Sequence, residues 1–180
     1  MQSGLAHSDP SNVDSGGVEL IAATPAHESL LSNLLQLYIH DFSELLRLKL
    51  GPDGRFAYPD LPLYWSEPSR FPFLATVDGA WAGLVFVRQI HGAANDAPTW
   101  DMVEFFVLRG YRHRGIGTRL AHLAFARFPG AWQVRVIEAN TTAALFWRQA
   151  IEIYTHATRE PSREILNNAA WQIFRFDSRP

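Results

Sequence analysis

Apolar and polar positions change rhythm several times along the chain, and each change marks an element. Residues Met1–Gly17 are polar and rich in Ser, Gly and Asp, which predicts a disordered lead. Val18–Ala23 is a short apolar run that reads as an opening strand. Thr24-Pro25 then reads as a helix start, with Thr24 as N-cap and Pro25 at the first helical position. Leu30, Leu31, Leu34, Leu35 and Tyr38 recur at helical spacing, and the helix is predicted to run to about Leu50. Gly51-Pro52-Asp53-Gly54 breaks it. Arg55–Arg70 carries turn residues among Phe56, Tyr58, Tyr64 and Trp65, a long loop of the kind that is often functional.

From Phe71 the rhythm is that of strands. Phe71–Val77 and Trp81–Arg88 flank Asp78-Gly79, a strong hairpin-turn signal. A Gly/Ala/Asn/Pro loop leads to a third apolar run, Trp100–Leu108. The next helix carries Ile116, Leu120, Leu123, Ala124 and Phe128 on one face and stops at Phe128-Pro129-Gly130. Trp132–Ile137 reads as a strand and Thr141–Ala150 as a helix. Ile151–Ala157 and Ala170–Phe176 read as two closing strands. No repeat and no second composition regime interrupts this order, which predicts one mixed α/β domain over residues 18–180, a sheet with helices on its faces.

Composition narrows the classes. The 180 residues are 47% hydrophobic and 19% charged, a globular profile. Cysteine is absent, which excludes a disulfide framework, a thiolate nucleophile and cysteine-ligated metal. Apolar stretches such as Ala80–Val87 fall far short of the ~18 residues of a membrane span. The N-terminus lacks a basic region followed by an apolar core, so a cytoplasmic protein that does not engage membrane is expected. The net charge of −2 argues against a nucleic-acid partner. Arginine supplies all the basic residues but Lys49, and Arg109, Arg112, Arg114 and Arg119 lie in a stretch without an acid. That stretch is either a solvated surface run or a local anion site suited to phosphate.

The chemistry-bearing junction is the strand Val103–Leu108, a turn, and Gly115-Ile116-Gly117 opening a helix. A glycine-rich strand-to-helix turn exposes backbone N–H groups, and the helix N-terminus adds partial positive charge, which together hold a phosphate or pyrophosphate. The run from Glu104 to Ala121 resembles motif A of the GNAT acetyltransferases, whose Gln/Arg-x-x-Gly-x-Gly/Ala signature is matched by Arg112, Gly115 and Gly117. About 25 residues on, Asn140, Ala143, Phe146 and Trp147 resemble motif B, Asn-x-x-Ala-x-x-Phe-Tyr. The resemblance extends over Val18–Phe176 in element order. It implies a mixed, mostly antiparallel central sheet with helices on both faces, in which the fourth and fifth strands splay apart.

It also implies roles. Arg112, Arg114, Gly115, Ile116, Gly117 and Thr118 would cradle the pyrophosphate of acetyl-CoA, and Phe105, Phe106 and Val107 would pair with its pantetheine arm like an added strand. Val107 N–H would steady the thioester oxyanion. Asn140 would contact the pantetheine arm or cap the last helix. The implied reaction is direct transfer of acetyl to a primary amine, small molecule or peptide, in a ternary complex without a metal. Glu104, a carboxylate in an apolar strand, is the candidate base, against the alternatives of an edge residue or a structural ion pair. His113 sits inside the turn, and no histidine has metal-ligand spacing.

Two departures from the family pattern stand out. Trp147 occupies the position of the usual general-acid tyrosine, with Tyr154 and Tyr111 as the nearest substitutes by sequence. Ala150-Ile151-Glu152 replaces the common Leu-Gly-Phe, so the last helix is expected to end differently. Asp41, Glu44, Asp53 and Asp60 among the loop aromatics either suit a cationic acceptor or are solvated acids beside packing rings. The second functional reading is a non-catalytic acyl-CoA-binding or regulatory domain, which Trp147 favours. The resemblance leaves room for a homodimer.

Overall fold

The computed structural model describes residues 17–90 and 98–179; the expected lead, Gly17 apart, and the loop at 91–97 lie outside the described residues. Seven strands form one sheet in the order β1-β2-β3-β4-β5-β7-β6. They are β1 (Val18–Ala22), β2 (Arg70–Val77), β3 (Ala80–Ile90), β4 (Thr99–Val107), β5 (Ala131–Ile137), β6 (Ser162–Leu166) and β7 (Ala169–Asp177). Every neighbouring pair is antiparallel except β4 and β5, which run parallel. Helices α1 (Glu28–Leu46) and α2 (Leu63–Ser66) cover one face, and α3 (Ile116–Arg127) and α4 (Thr141–Thr155) the other.

The two faces follow from strand alternation. Leu84, Phe86 and Phe106 point to α1 and pack with Leu31, Leu34, Leu35 and Tyr64. Val85, Val87 and Met102 point to the other side and pack with Ala124, Phe125, Trp147 and Ile151. The β2–β3 turn at Asp78 and Gly79, both at positive φ, is the tight hairpin that Asp-Gly predicts.

Several boundaries differ from expectation: a 3-10 turn at Pro25–His27 precedes α1, and α2 interrupts the segment expected as a loop. Helix α1 ends at Leu46, not near Leu50, with Arg47 in the left-handed region closing it. Beyond that point Leu46, Leu48 and Leu50 recur every second residue, a rhythm that gives a helix no buried stripe. The expected strand Ile151–Ala157 is helical as far as Thr155, because Ala150, Ile151 and Tyr154 continue the stripe begun by Ala144 and Trp147. The first closing strand is instead β6, joined to β7 by Asn167-Asn168, both left-handed.

Candidate active site

Strands β4 and β5 pair only from Thr99↔Ala131 to Met102↔Val134 and then part. The separation begins at a bulge. Phe86 faces Glu104 and Val87 faces Met102, so Val103 is an extra residue on β4 with no partner on β3. A bulge bends and twists its strand and ends regular pairing, which is the physical cause of the splay. Between the parted strands lies a cleft of about 430 Å³, bordered by α1, the loop after it, the start of α4 and β7.

The β4 wall of the cleft is an open backbone edge. Leu108 N–H donates to Ala82 C=O at 2.8 Å, which makes Gly83 and Val107 a non-hydrogen-bonded pair. The N–H and C=O of Val107, and by alternation those of Phe105, therefore turn away from β3; Arg112 takes the Val107 carbonyl, while Phe105 borders the cleft. Phe106 does not: its backbone pairs with Leu84 and its ring packs under α1 against Tyr38. Glycine is needed at position 83, since a Cβ there would stand 2.0 Å from the Phe106 carbonyl oxygen.

This edge runs into the glycine-rich turn. Gly115 caps α3 in the left-handed region at φ 74° and supplies no side-chain cap. The N–H groups of Gly115, Ile116, Gly117 and Thr118 have no hydrogen-bond partner among the described residues, so the helix start presents donors to an anion. Arg114 is exposed beside them, whereas Ile116 is buried against Val107 and Leu120. A Cβ on Gly117 would press on the Phe146 ring at 3.1 Å. Arg112 is partly committed: its Nε donates to Val107 C=O at 2.7 Å and its Nη2 to Asp41 at 2.6 Å, which leaves its Nη1 for a phosphate. Arg109 holds the other Asp41 oxygen at 2.7 Å. Partial burial pulls the Asp41 carboxyl up, and the two guanidiniums outweigh it, so it titrates below the ordinary carboxylate range.

On α4, Asn140 Oδ1 accepts from Ala143 N–H at 3.0 Å, so its side chain caps the helix while bordering the cleft. Trp147, also on the cleft wall, is buried edge-on against Phe105 at 4.8 Å. The substitutes for a general acid do not reach the cleft. Tyr154 lies between His122 and Phe125, and Tyr111 packs near Ile116.

Glu104 faces the α1 side, opposite Phe86, and is not a lone carboxylate. Tyr58 Oη donates to its Oε1 at 3.0 Å, and Tyr38 lies against the same group. Burial pushes the Glu104 carboxyl above its usual range, opposed by the two tyrosines and by the charge of Arg135. Burial and the Glu104 charge push both tyrosines up as well, so they stay protonated donors. Asp101, fully buried on this face, accepts from Arg88, Gln133 and Arg135.

Sequence reasoning passes over Tyr38, Asp101, Arg135 and Trp171 as site residues, and reads Tyr58 only as a loop aromatic. Charges at Asp101 and Arg135 inside otherwise apolar strands are the available signal. Among the acids Asp41, Glu44, Asp53 and Asp60, none lines the cleft. Among the described residues no group of three or more His, Asp or Glu could hold a metal, and no helix is long and apolar enough to cross a membrane.

The acetyltransferase (GNAT) family model matches residues 32–154, and the chain belongs to that family. The fold agrees with solved structures. An acetyltransferase from Thermus thermophilus is 18% identical with a TM-score of 0.63, over 89% of this chain and 96% of that one. NAA60 of Arabidopsis thaliana in complex with acetyl-CoA is 12% identical with a TM-score of 0.56, over 89% and 98%. A variant of the spermidine N-acetyltransferase SpeG from Vibrio cholerae is 11% identical with a TM-score of 0.60, over 89% and 94%. At these identities the likeness is one of fold. No protein of curated function matches the chain by sequence.

Proposed function

We propose that the protein is an acetyl-CoA-dependent N-acetyltransferase acting on a primary amine. The observation that carries this is the continuity of the open edge. The backbone of Phe105 and the N–H of Val107 turn away from β3 and lead directly to the donor-only turn Gly115–Thr118, with Glu104 at the same cleft. An extended, amide-bearing chain ending in a pyrophosphate fits those two features in that order, as pantetheine and its nucleotide do.

Acetyl-CoA supplies an activated acyl group; the residues supply the rest. The Gly115–Thr118 N–H groups and Arg114 hold the phosphates. Phe105 aligns the arm, while Phe106 supports the strand from beneath. Val107 N–H is the hydrogen-bond donor for the oxyanion. Arg112, tied to Val107 C=O through its Nε, fixes that peptide and keeps its Nη1 for the phosphates. Glu104 takes the proton of the incoming ammonium, directly or through one water, with Tyr58 and Tyr38 orienting its oxygens. The N–C bond forms as the C–S bond breaks. The Trp147 indole has no proton to give at physiological pH, so the thiolate is protonated from water.

Glu104→Gln keeps the shape and removes the base. With an amine found by screening against acetyl-CoA, kcat/KM at neutral pH is expected to fall by ~10²–10⁴-fold, less at higher pH where more of the amine is already neutral. Acetyl-CoA affinity should hold. Wild-type turnover in this variant across the pH range removes Glu104 from the mechanism. Tight acetyl-CoA binding with no transfer to any amine favours a binding domain instead.

A further inference from the structure

Behind the cleft wall, Arg135 belongs to a buried charge cluster. Asp101 is 0% exposed and accepts from Arg88 Nη2 at 2.8 Å, Gln133 Nε2 at 3.0 Å, and Arg135 Nε and Nη2 at 3.2 and 2.9 Å. Two guanidiniums thus share one carboxylate, and each keeps roughly a third of its surface open, 30% and 28%. The pair carries one positive charge more than Asp101 balances, and the nearest further anion is Glu104, on which the charge of Arg135 acts.

Arg135 directs that charge to the cleft, which it lines with Glu104. Its contact with Asp101 is side-on and uses Nε and Nη2, so Nη1 has no partner among the described residues. On the same face, Ile137 lies two residues further along β5 and pairs with Trp171 of β7. Trp171 Nε1 is a buried donor without a partner, and Trp171 also lines the cleft. Two donors among the described residues therefore lack an acceptor on the wall of the cleft that Glu104 also lines. Glu104 is the only acid lining the cleft among the described residues.

We propose that the acceptor is an amine that carries its own carboxylate close to the nitrogen, an amino acid, with its ammonium at Glu104 and its carboxylate on Arg135 Nη1 and Trp171 Nε1. The inference rests on the acetyltransferase reading above. Such a zwitterion leaves the cleft's charge balanced. A polyamine would instead bring a second cation towards Arg135, with Asp41 already held by Arg109 and Arg112. Phe42, Leu46 and Leu48 form an apolar wall at the cleft, which suits an apolar side chain on the amino acid.

Matched acceptors test this: phenylalanine, phenylalaninamide and 2-phenylethylamine, the leucine equivalents, and spermidine, each with acetyl-CoA and a free-thiol readout. The acids are expected to exceed their amides and decarboxylated amines by at least ~10-fold in kcat/KM, the scale of a charged hydrogen bond. Reactivity alone predicts the reverse for the amides, whose amines deprotonate more readily. Arg135→Gln should erase the preference, mainly by raising KM for the acids. Trp171→Phe, which keeps the ring and drops the N–H, should raise it several-fold and serves if the Arg135 variant fails to fold. Equal or better use of the amides, the plain amines or spermidine overturns the proposal, as does an intact preference in both variants. Transfer to no amine at all overturns the acetyltransferase reading, and this inference with it.

Discussion

Glu104 sits where its surroundings resist a charge, and that conflict has a measurable cost. Burial raises its folded pKa above the unfolded value despite the tyrosines and Arg135. Between those two values the native chain binds more protons than the unfolded one, so stability falls as pH rises. The contribution of Glu104 is fully present below the ordinary glutamate pKa of about 4.3 and is lost as pH passes through the raised folded value. Glu104→Gln removes the loss. Its melting temperature should exceed that of the wild type at pH 7–8, and the two should converge towards pH 4. Calorimetry across that range checks the sign; a wild type more stable at pH 8 would mean that its ionised carboxylate is a net stabiliser. On the proposed mechanism, the stability lost at Glu104 is the cost of holding a base at the cleft.

Helix α1 links the two halves of the site. Tyr38 and Asp41 lie three positions apart on it, the first against Glu104 and the second holding Arg109 and Arg112 beside the cradle. Removing the carboxylate with Asp41→Ala releases Arg112, and with it the peptide of Val107. A part-exposed ion pair is worth about 1 kcal/mol, so KM for acetyl-CoA should rise about fivefold, read by initial rates or calorimetric binding. At this scale the sequence was legible where periodicity and turn chemistry agreed: Asp78-Gly79 between two apolar runs, and Gly115-Ile116-Gly117 after β4. It misled at Ile151–Thr155, where a short apolar run suits strand and helix equally and packing against Phe125 decides. Strand β6 escaped because Ser162–Leu166 has no apolar run, and its link to the expected strand at Ala170–Phe176 rests on Asn167-Asn168, a left-handed pair that asparagine tolerates.

Across the molecule, the mixed, mostly antiparallel sheet and the splay of its fourth and fifth strands followed from the family resemblance, whereas the strand order at the far edge, β5-β7-β6, did not. What stayed hidden depended on distance in the chain. Tyr38, Tyr58 and Glu104 meet from three elements, and Asp101 reaches β3 and β5 for its partners, so no local pattern could announce either cluster. Gly83 is similar: its necessity comes from the Phe106 carbonyl opposite it, not from any turn. The parted strands also have a signature in time. Amides bonded to β3 and amides facing the splay alternate residue by residue along β4. In the free protein Phe105 and Val107 should exchange their amide hydrogens for deuterium quickly, while Glu104 and Phe106, one residue away in each case, stay protected. Saturating acetyl-CoA should slow the fast pair and leave the slow pair as it was. Residue-resolved exchange would then show a comb of alternate fast and slow teeth that fills in when the donor arrives, the record of a sheet that is one strand short until its substrate completes it.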